Sequence, residues 1–129
     1  GFLKYISNKY NVRKIYCDYT GIGTGVVDAI REETPGIIEG ISFTTKNKMD
    51  MYSNLRIMFE KNQIKIPNHR KLIHQLKDLR YERMNSGNLK IHHPEGGFDD
   101  FSDALCLAAF HYAQRNRFNI PWQIAFPQK

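Results

Sequence analysis

The chain has 129 residues, 41% hydrophobic and 25% charged, which suits one globular domain with one core and excludes a disordered tail. No apolar run approaches the roughly 18 residues that a membrane span needs, and the start shows no basic-then-apolar leader pattern, so no membrane partner is expected. A formal net charge of +6 points to an acidic partner, of which nucleic acid is the commonest.

Phe2 to Tyr10 has apolar residues at 2, 3, 5, 6 and 10, the spacing of a short amphipathic helix. "RKIYCDYT" is a short apolar run ending in an acid and reads as a buried strand. "GIGTG" is a glycine turn, after which "VVDAIREE" is helical until Pro35 stops it. "IIEGISF" reads as a second strand. "KMDMYSNLRIMFEKNQ" places apolar residues at 51, 52, 55, 58 and 59 on one helical face, and its methionines are most simply core filling. "IKIP" is expected to be a short strand. "HRKLIHQLKDLRYERM" repeats the helical pattern through Leu72, Ile73, Leu76, Leu79 and Met84. "NSGN" is a turn and "LKIHH" a short strand. Phe101 to Arg115 is the last helix, with Phe101, Ala104, Leu105, Ala108 and Tyr112 on its apolar stripe. From Asn116 the tail, with Pro121, Trp122 and Pro127, is expected to be irregular. Strands alternating with helices of this length imply an α/β layered domain with an at least partly parallel sheet. Cys17 and Cys106, far apart in apolar runs, read as reduced core thiols of an intracellular protein.

Two places could carry chemistry. Asp18 ends a strand just before a glycine turn, where α/β sheets bind ligands. Its carboxylate either starts the turn by accepting backbone N–H groups or meets a cation. "GIGTG" gives G-x-G-x-G, whereas a dinucleotide fingerprint needs G-x-G-x-x-G, and Glu39 lies inside the next strand, not at its end. The spacing argues against a nucleotide cofactor and for a close backbone approach. The second place is "FDDFSD", with Asp99, Asp100 and Asp103 where the last helix begins. One acid suffices as an N-cap. Like charges three and four apart repel, and a hard divalent cation such as Mg²⁺ would use the surplus. His92 and His93 lie close enough in sequence to reach this cluster. Lys46, Lys48, Arg70, Lys71, Lys77, Arg80 and Arg83, with Lys61 and Lys65, supply most of the basic excess. They form either a solvated face or a phosphate-contacting surface.

"IYCDYTGIGTGVVDAI", a helix–strand–helix stretch, and then "FDDFSDALCLAAFHYA" together resemble the C-terminal nuclease domain of the large terminase subunit of tailed double-stranded DNA viruses. "IKIPNHRKLIHQLKDLRYE" resembles the segment between those motifs, and the likeness runs over roughly residues 3–115. The resemblance implies an α/β, RNase H-like fold with a mixed sheet flanked by helices. It implies an endonuclease that cuts double-stranded DNA by two-metal hydrolysis with Mg²⁺ or Mn²⁺. Asp18 matches the family's strand-ending acid, and Asp99 and Asp100 its late Asp-Asp pair; these are the candidate catalytic residues. With Asp103 they are also the candidate metal ligands. The family's first catalytic aspartate lies on an opening strand upstream of the Phe2–Tyr10 helix, and no acid precedes Asp18. The chain is therefore expected to be N-terminally truncated relative to the family, with residues 1–115 a partial nuclease domain and 116–129 a tail, and to be weak or inactive alone. The motif Gly-x-x-x-x-Gly-Lys-[Ser/Thr] of a packaging motor does not occur. The partners implied are double-stranded DNA, portal protein and small terminase subunit, in the host cytoplasm. Two other readings compete: an incomplete RNase H-like module that binds DNA or protein without cutting, and another RNase H-like enzyme such as a resolvase or transposase.

Overall fold

The structure, a computed structural model, describes residues 1–20 and 24–116. The chain divides into two compact units, Gly1–Thr44 and Thr45–Lys129.

The first unit begins with helix α1, Phe2–Tyr10. It ends where Asn11 adopts a left-handed φ of 50° and the Val12 N–H closes onto the Ser7 carbonyl at 3.0 Å. The expected apolar face of α1 is not its buried face: Phe2, Tyr5 and Tyr10 are exposed. Strand β1 (Ile15–Asp18), helix α2 (Thr24–Glu33) and strand β2 (Ile38–Ile41) follow. The strands pair in parallel with Asp18 opposite Ile41, and α2 packs on β2, burying Val27. β1 was expected to be buried, but all four of its residues are only half-buried. The Thr34 hydroxyl bonds the Ile30 carbonyl at 2.8 Å and finishes α2 just before Pro35, as the sequence predicts. Gly21 and Gly23 of the glycine turn lie outside the described residues.

The second unit contains α3 (Thr45–Glu60), α4 (Arg70–Asp78), β3 (Arg80–Arg83), β4 (Leu89–His92) and α5 (Asp100–Asn116). α3 packs on α5 and β4, and α4 on α5. Met51, Tyr52, Leu55 and Met58 of α3 are buried with Leu72, Ile91, Cys106, Leu107 and Ala109. Cys17 and Cys106 are free thiols, half-buried and buried.

Three sequence expectations are corrected here. "IKIP" is not a strand; residues 63–69 have no regular structure. The helix expected to run to Met84 stops at Asp78, and Arg80–Arg83 pairs antiparallel with Leu89–His92. Leu79, at φ −56° and ψ 136°, turns the chain into the extended state, and ladder pairing then overrides a helical periodicity that local propensity only weakly enforces. The buried stripe of α5 is also rotated. Ser102, Cys106 and Ala109 face inward, while Phe101, Ala104, Ala108 and Tyr112 are exposed. The rotation is possible because Ser102, although polar and fully buried, has its hydroxyl satisfied. The tail expected to be irregular lies, with Trp122, outside the described residues beyond Asn116.

Candidate active site

The acid cluster is assembled by the turn between β4 and α5. The Gly97 N–H donates to the Pro94 carbonyl at 2.8 Å, with Gly96 at a φ of +77°. A Cβ on Gly97 would lie 2.9 Å from the Pro94 carbonyl oxygen and 3.1 Å from the His93 Cβ. The Gly-Gly pair is what lets the chain reverse this tightly, bringing His93, just after β4, beside Asp99, just before α5.

The first free amides of α5 are not capped by an aspartate side chain. The Gln75 side-chain oxygen, from α4, accepts from Phe101 N at 2.9 Å and from Ser102 N at 3.0 Å. The Asp99 carboxylate is thereby released for other contacts. The Lys48 ammonium, from α3, donates to Asp99 Oδ2 at 2.7 Å and reaches Asp103 Oδ2 at 3.4 Å. One turn further along α3, the Tyr52 hydroxyl donates to Asp103 Oδ1 at 2.6 Å and lies 2.9 Å from Ser102 Oγ. Ser102 Oγ donates to the Asp99 carbonyl at 3.0 Å. The His93 side chain is only 5% exposed. Its Nε2 lies 3.1 Å from the Gln75 carbonyl, which can only accept, so the proton is assigned to Nε2. Nδ1 is left buried without a hydrogen bond, 3.7 Å from Asp99 Oδ2. Among the described residues of this unit, no three His, Cys, Asp or Glu side chains converge as a metal-holding group; the Lys48 ammonium joins Asp99 and Asp103 instead.

The electrostatics follow from burial set against these contacts. For Lys48, burial would favour the neutral amine, but its hydrogen bonds and charge attraction to the two aspartates outweigh it and raise the pKa above the usual lysine value. For Asp99, burial works against ionisation, yet the hydrogen bond and charge of Lys48 lower the carboxyl below its ordinary value. For Asp103, burial prevails over the Tyr52 and Lys48 contacts, and the pKa rises. The two neighbours shift oppositely because Asp99 is 37% exposed and closest to the ammonium, whereas Asp103 is 19% exposed. Burial likewise pushes up the Tyr52 hydroxyl and the Cys106 thiol, so both stay neutral.

Asp18 belongs to the first unit. It ends β1, and its Oδ1 accepts the Thr20 N–H at 2.7 Å, the turn-starting bond that one of the two sequence readings anticipates. Asp100 is exposed at the first position of α5 and lines a groove with Lys71, His74, Asp78, Phe98 and Phe101. It makes no part of the Lys48 cluster. Lys46, Arg70, Lys71, Lys77, Arg80 and Arg83 are exposed. The Arg80 guanidinium donates to the Lys77 and Leu79 carbonyls, each at 3.0 Å. Lys48 differs from this basic set: its side chain is 18% exposed and its charge is directed at carboxylates.

The family model described as "Terminase RNaseH-like domain" matches residues 3–111. The chain belongs to this family. The terminase large subunits of Thermus phage G20c and Thermus virus P23-45 are each 30% identical to it over 133 aligned residues, covering 98% of this chain and 26% of theirs. The chain thus spans about a quarter of the curated relatives it matches. Among solved structures, the large terminase nuclease of thermophilic phage G20c with bound cobalt superposes at a TM-score of 0.72 and 27% identity, covering 83% of this chain and 57% of that one. The same nuclease with bound magnesium gives 0.70 at 27% identity, over the same shares. The Thermus phage P74-26 large terminase nuclease domain gives 0.67 at 25%, covering 84% and 55%. The α/β, RNase H-like fold expected from the sequence is therefore that of the terminase family. The sequence singles out Asp99 and Asp103 but not Tyr52, Gln75 and Ser102, which the structure places with them. Only Ser102 left a trace: a small polar residue four and seven positions before Cys106 and Ala109, on the true inward stripe.

Proposed function

We propose that the chain forms the greater part of an RNase H-like endonuclease domain, residues 1–115, that cuts double-stranded DNA in a viral packaging terminase. The observation that carries this reading is the freed carboxylate of Asp99. Gln75 caps α5, and Asp99, which with Asp100 matches the family's late Asp-Asp motif, stands beside Asp103. The residues suit a divalent cation: two carboxylates offer oxygen ligands, and the buried His93 Nδ1 lacks a hydrogen-bond partner. By the family resemblance Asp18, Asp99, Asp100 and Asp103 are the residues that would hold Mg²⁺ or Mn²⁺; that the phage nucleases carry bound magnesium and cobalt supports a divalent ion. Such ions, when bound, activate a water and neutralise charge at the leaving phosphodiester oxygen. The chain's own residues orient this site: Tyr52 and Ser102 fix Asp103 and the Asp99 backbone, and exposed cations on α3, α4 and β3 hold the DNA backbone. By the same family reading, portal protein and small terminase subunit are its partners, in the host cytoplasm.

The test is cleavage of supercoiled plasmid by residues 1–129 and by a form extended upstream of Gly1. The shorter chain should cut little or not at all with Mg²⁺ or Mn²⁺. The longer form should cut without sequence preference, and Asp18→Asn or Asp100→Asn should each abolish cutting while preserving the fold. Strong cleavage by the shorter chain that survives Asp18→Asn would refute the assigned site. An incomplete, non-cutting binding module is the second reading, favoured by Lys48, whose ammonium is already shared between Asp99 and Asp103. Inactivity of the longer form would select it.

A further inference from the structure

We infer that Lys48 is a displaceable internal counter-ion: its ammonium holds Asp99 and Asp103 in the metal-free state, and a divalent cation binds these carboxylates, with His93 Nδ1 as a third donor, only by moving Lys48 aside. This rests on the proposed nuclease reading and adds to it a lysine that sets the affinity of the metal site. Three independent features converge on it. First, the ammonium is 2.7 Å from Asp99 Oδ2 and 3.4 Å from Asp103 Oδ2, so it is shared between two carboxylates of one helix turn. A divalent ion binding both acids would meet direct electrostatic opposition from an ammonium left there. Second, His93 is almost wholly buried, with Nε2 fixed on the Gln75 carbonyl and Nδ1 without a hydrogen bond, 3.7 Å from Asp99 Oδ2. A ring held by one nitrogen on a backbone carbonyl, with the other nitrogen's lone pair open, is the arrangement found in imidazoles that ligate metals. Third, a lysine can leave. Its charge rides on a flexible four-carbon stem, unlike an arginine fork, and the side chain retains 18% exposure through which it can swing to solvent.

The cluster therefore has two alternative occupancies. With Lys48 in place, one positive charge is shared between the two carboxylates. With a divalent ion in place, Lys48 is released from both acids.

The test is titration of Mn²⁺ into the 129-residue chain by calorimetry, comparing wild type with Lys48→Met and Lys48→Gln, each first checked for native circular dichroism. Removing the competing ammonium should tighten Mn²⁺ binding on the order of tenfold, within the usual range for coupled binding events. His93→Leu in the Lys48→Met background should reverse part of that gain. Unchanged or weaker binding in both folded Lys48 variants would overturn the inference. Should both variants fail to fold, the wild-type chain decides: saturation with Mg²⁺ must shift the Lys48 ¹³Cε resonance in NMR spectra, and an unmoved signal would equally overturn it. These readouts are independent of cleavage. A metal response without cutting by the upstream-extended form removes the nuclease reading and leaves the displacement standing. Cutting without a Lys48 response does the reverse.

Discussion

Gln75 is a neutral side chain that performs what three nearby aspartates are better placed in sequence to do. A carboxylate at the N-cap would satisfy the same amides and also gain from the helix dipole. Using an amide from α4 leaves the Asp99 charge available and ties α4 to α5 by two hydrogen bonds. The consequence is measurable. Gln75→Ala leaves the Phe101 and Ser102 amides without their acceptor, and Ser102 is fully buried, so water cannot easily replace it. The expected loss is about 1–3 kcal/mol, the cost of stranding buried polar groups. Urea unfolding followed by circular dichroism measures it. A loss within a few tenths of a kcal/mol would mean that Asp99 recaptures the cap, and would weaken the case that its carboxylate is reserved.

At the scale of elements, what the sequence made legible was local and what it hid was pairing. α1 and α3, the parallel pair β1–β2, and the start of α5 follow from periodicity, proline and glycine positions. The acid positions were legible because three aspartates at one helix start exceed any capping need. By contrast, "RYER" continues a helical pattern, and only its partner "LKIH", across the turn from Met84 to Asn88, makes it a strand. Likewise no local rule told which stripe of α5 faces inward, because the decision depends on Tyr52, fifty residues upstream, satisfying Ser102. Lys48 was read with the basic surface for the same reason: its carboxylate partners are distant in sequence. The Gly96–Gly97 turn carries the element-scale prediction. Gly97→Ala puts a methyl 2.9 Å from the Pro94 carbonyl oxygen, a backbone atom that cannot rotate away. Relief requires a backbone shift between β4 and α5, costing about 1–3 kcal/mol. Gly96→Ala meets open space but must hold a φ of +77°, at about 1–2 kcal/mol. Thermal melts should rank both below wild type. Only Gly97→Ala should also disturb the His93 ring resonances in NMR spectra, since its clash extends to the His93 Cβ at 3.1 Å.

At the scale of the whole molecule, the +6 charge must be either a solubility device or a binding surface. The structure narrows which residues matter. Lys48 is committed to Asp99 and Asp103, Lys14 pairs with Glu39, and Arg56 pairs with Glu60. Lys46, Arg70, Lys71, Lys77, Arg80 and Arg83 are the exposed cations of the second unit expected to meet phosphate. Each phosphate contact releases condensed counter-ions, so the logarithm of the binding constant should fall linearly with the logarithm of salt concentration. If all six engage, the slope on duplex DNA should be about −5. Lys71→Ala should weaken binding to every sequence alike and reduce that slope by about one, because a phosphate contact carries no base information. Fluorescence anisotropy of a labelled duplex between low and moderate salt provides the measurement. An affinity that does not change with salt would assign the charge to solubility and leave the DNA-cutting proposal without a substrate-holding surface. A steep slope that Lys71→Ala and Arg70→Ala leave untouched would instead move the DNA path away from α4.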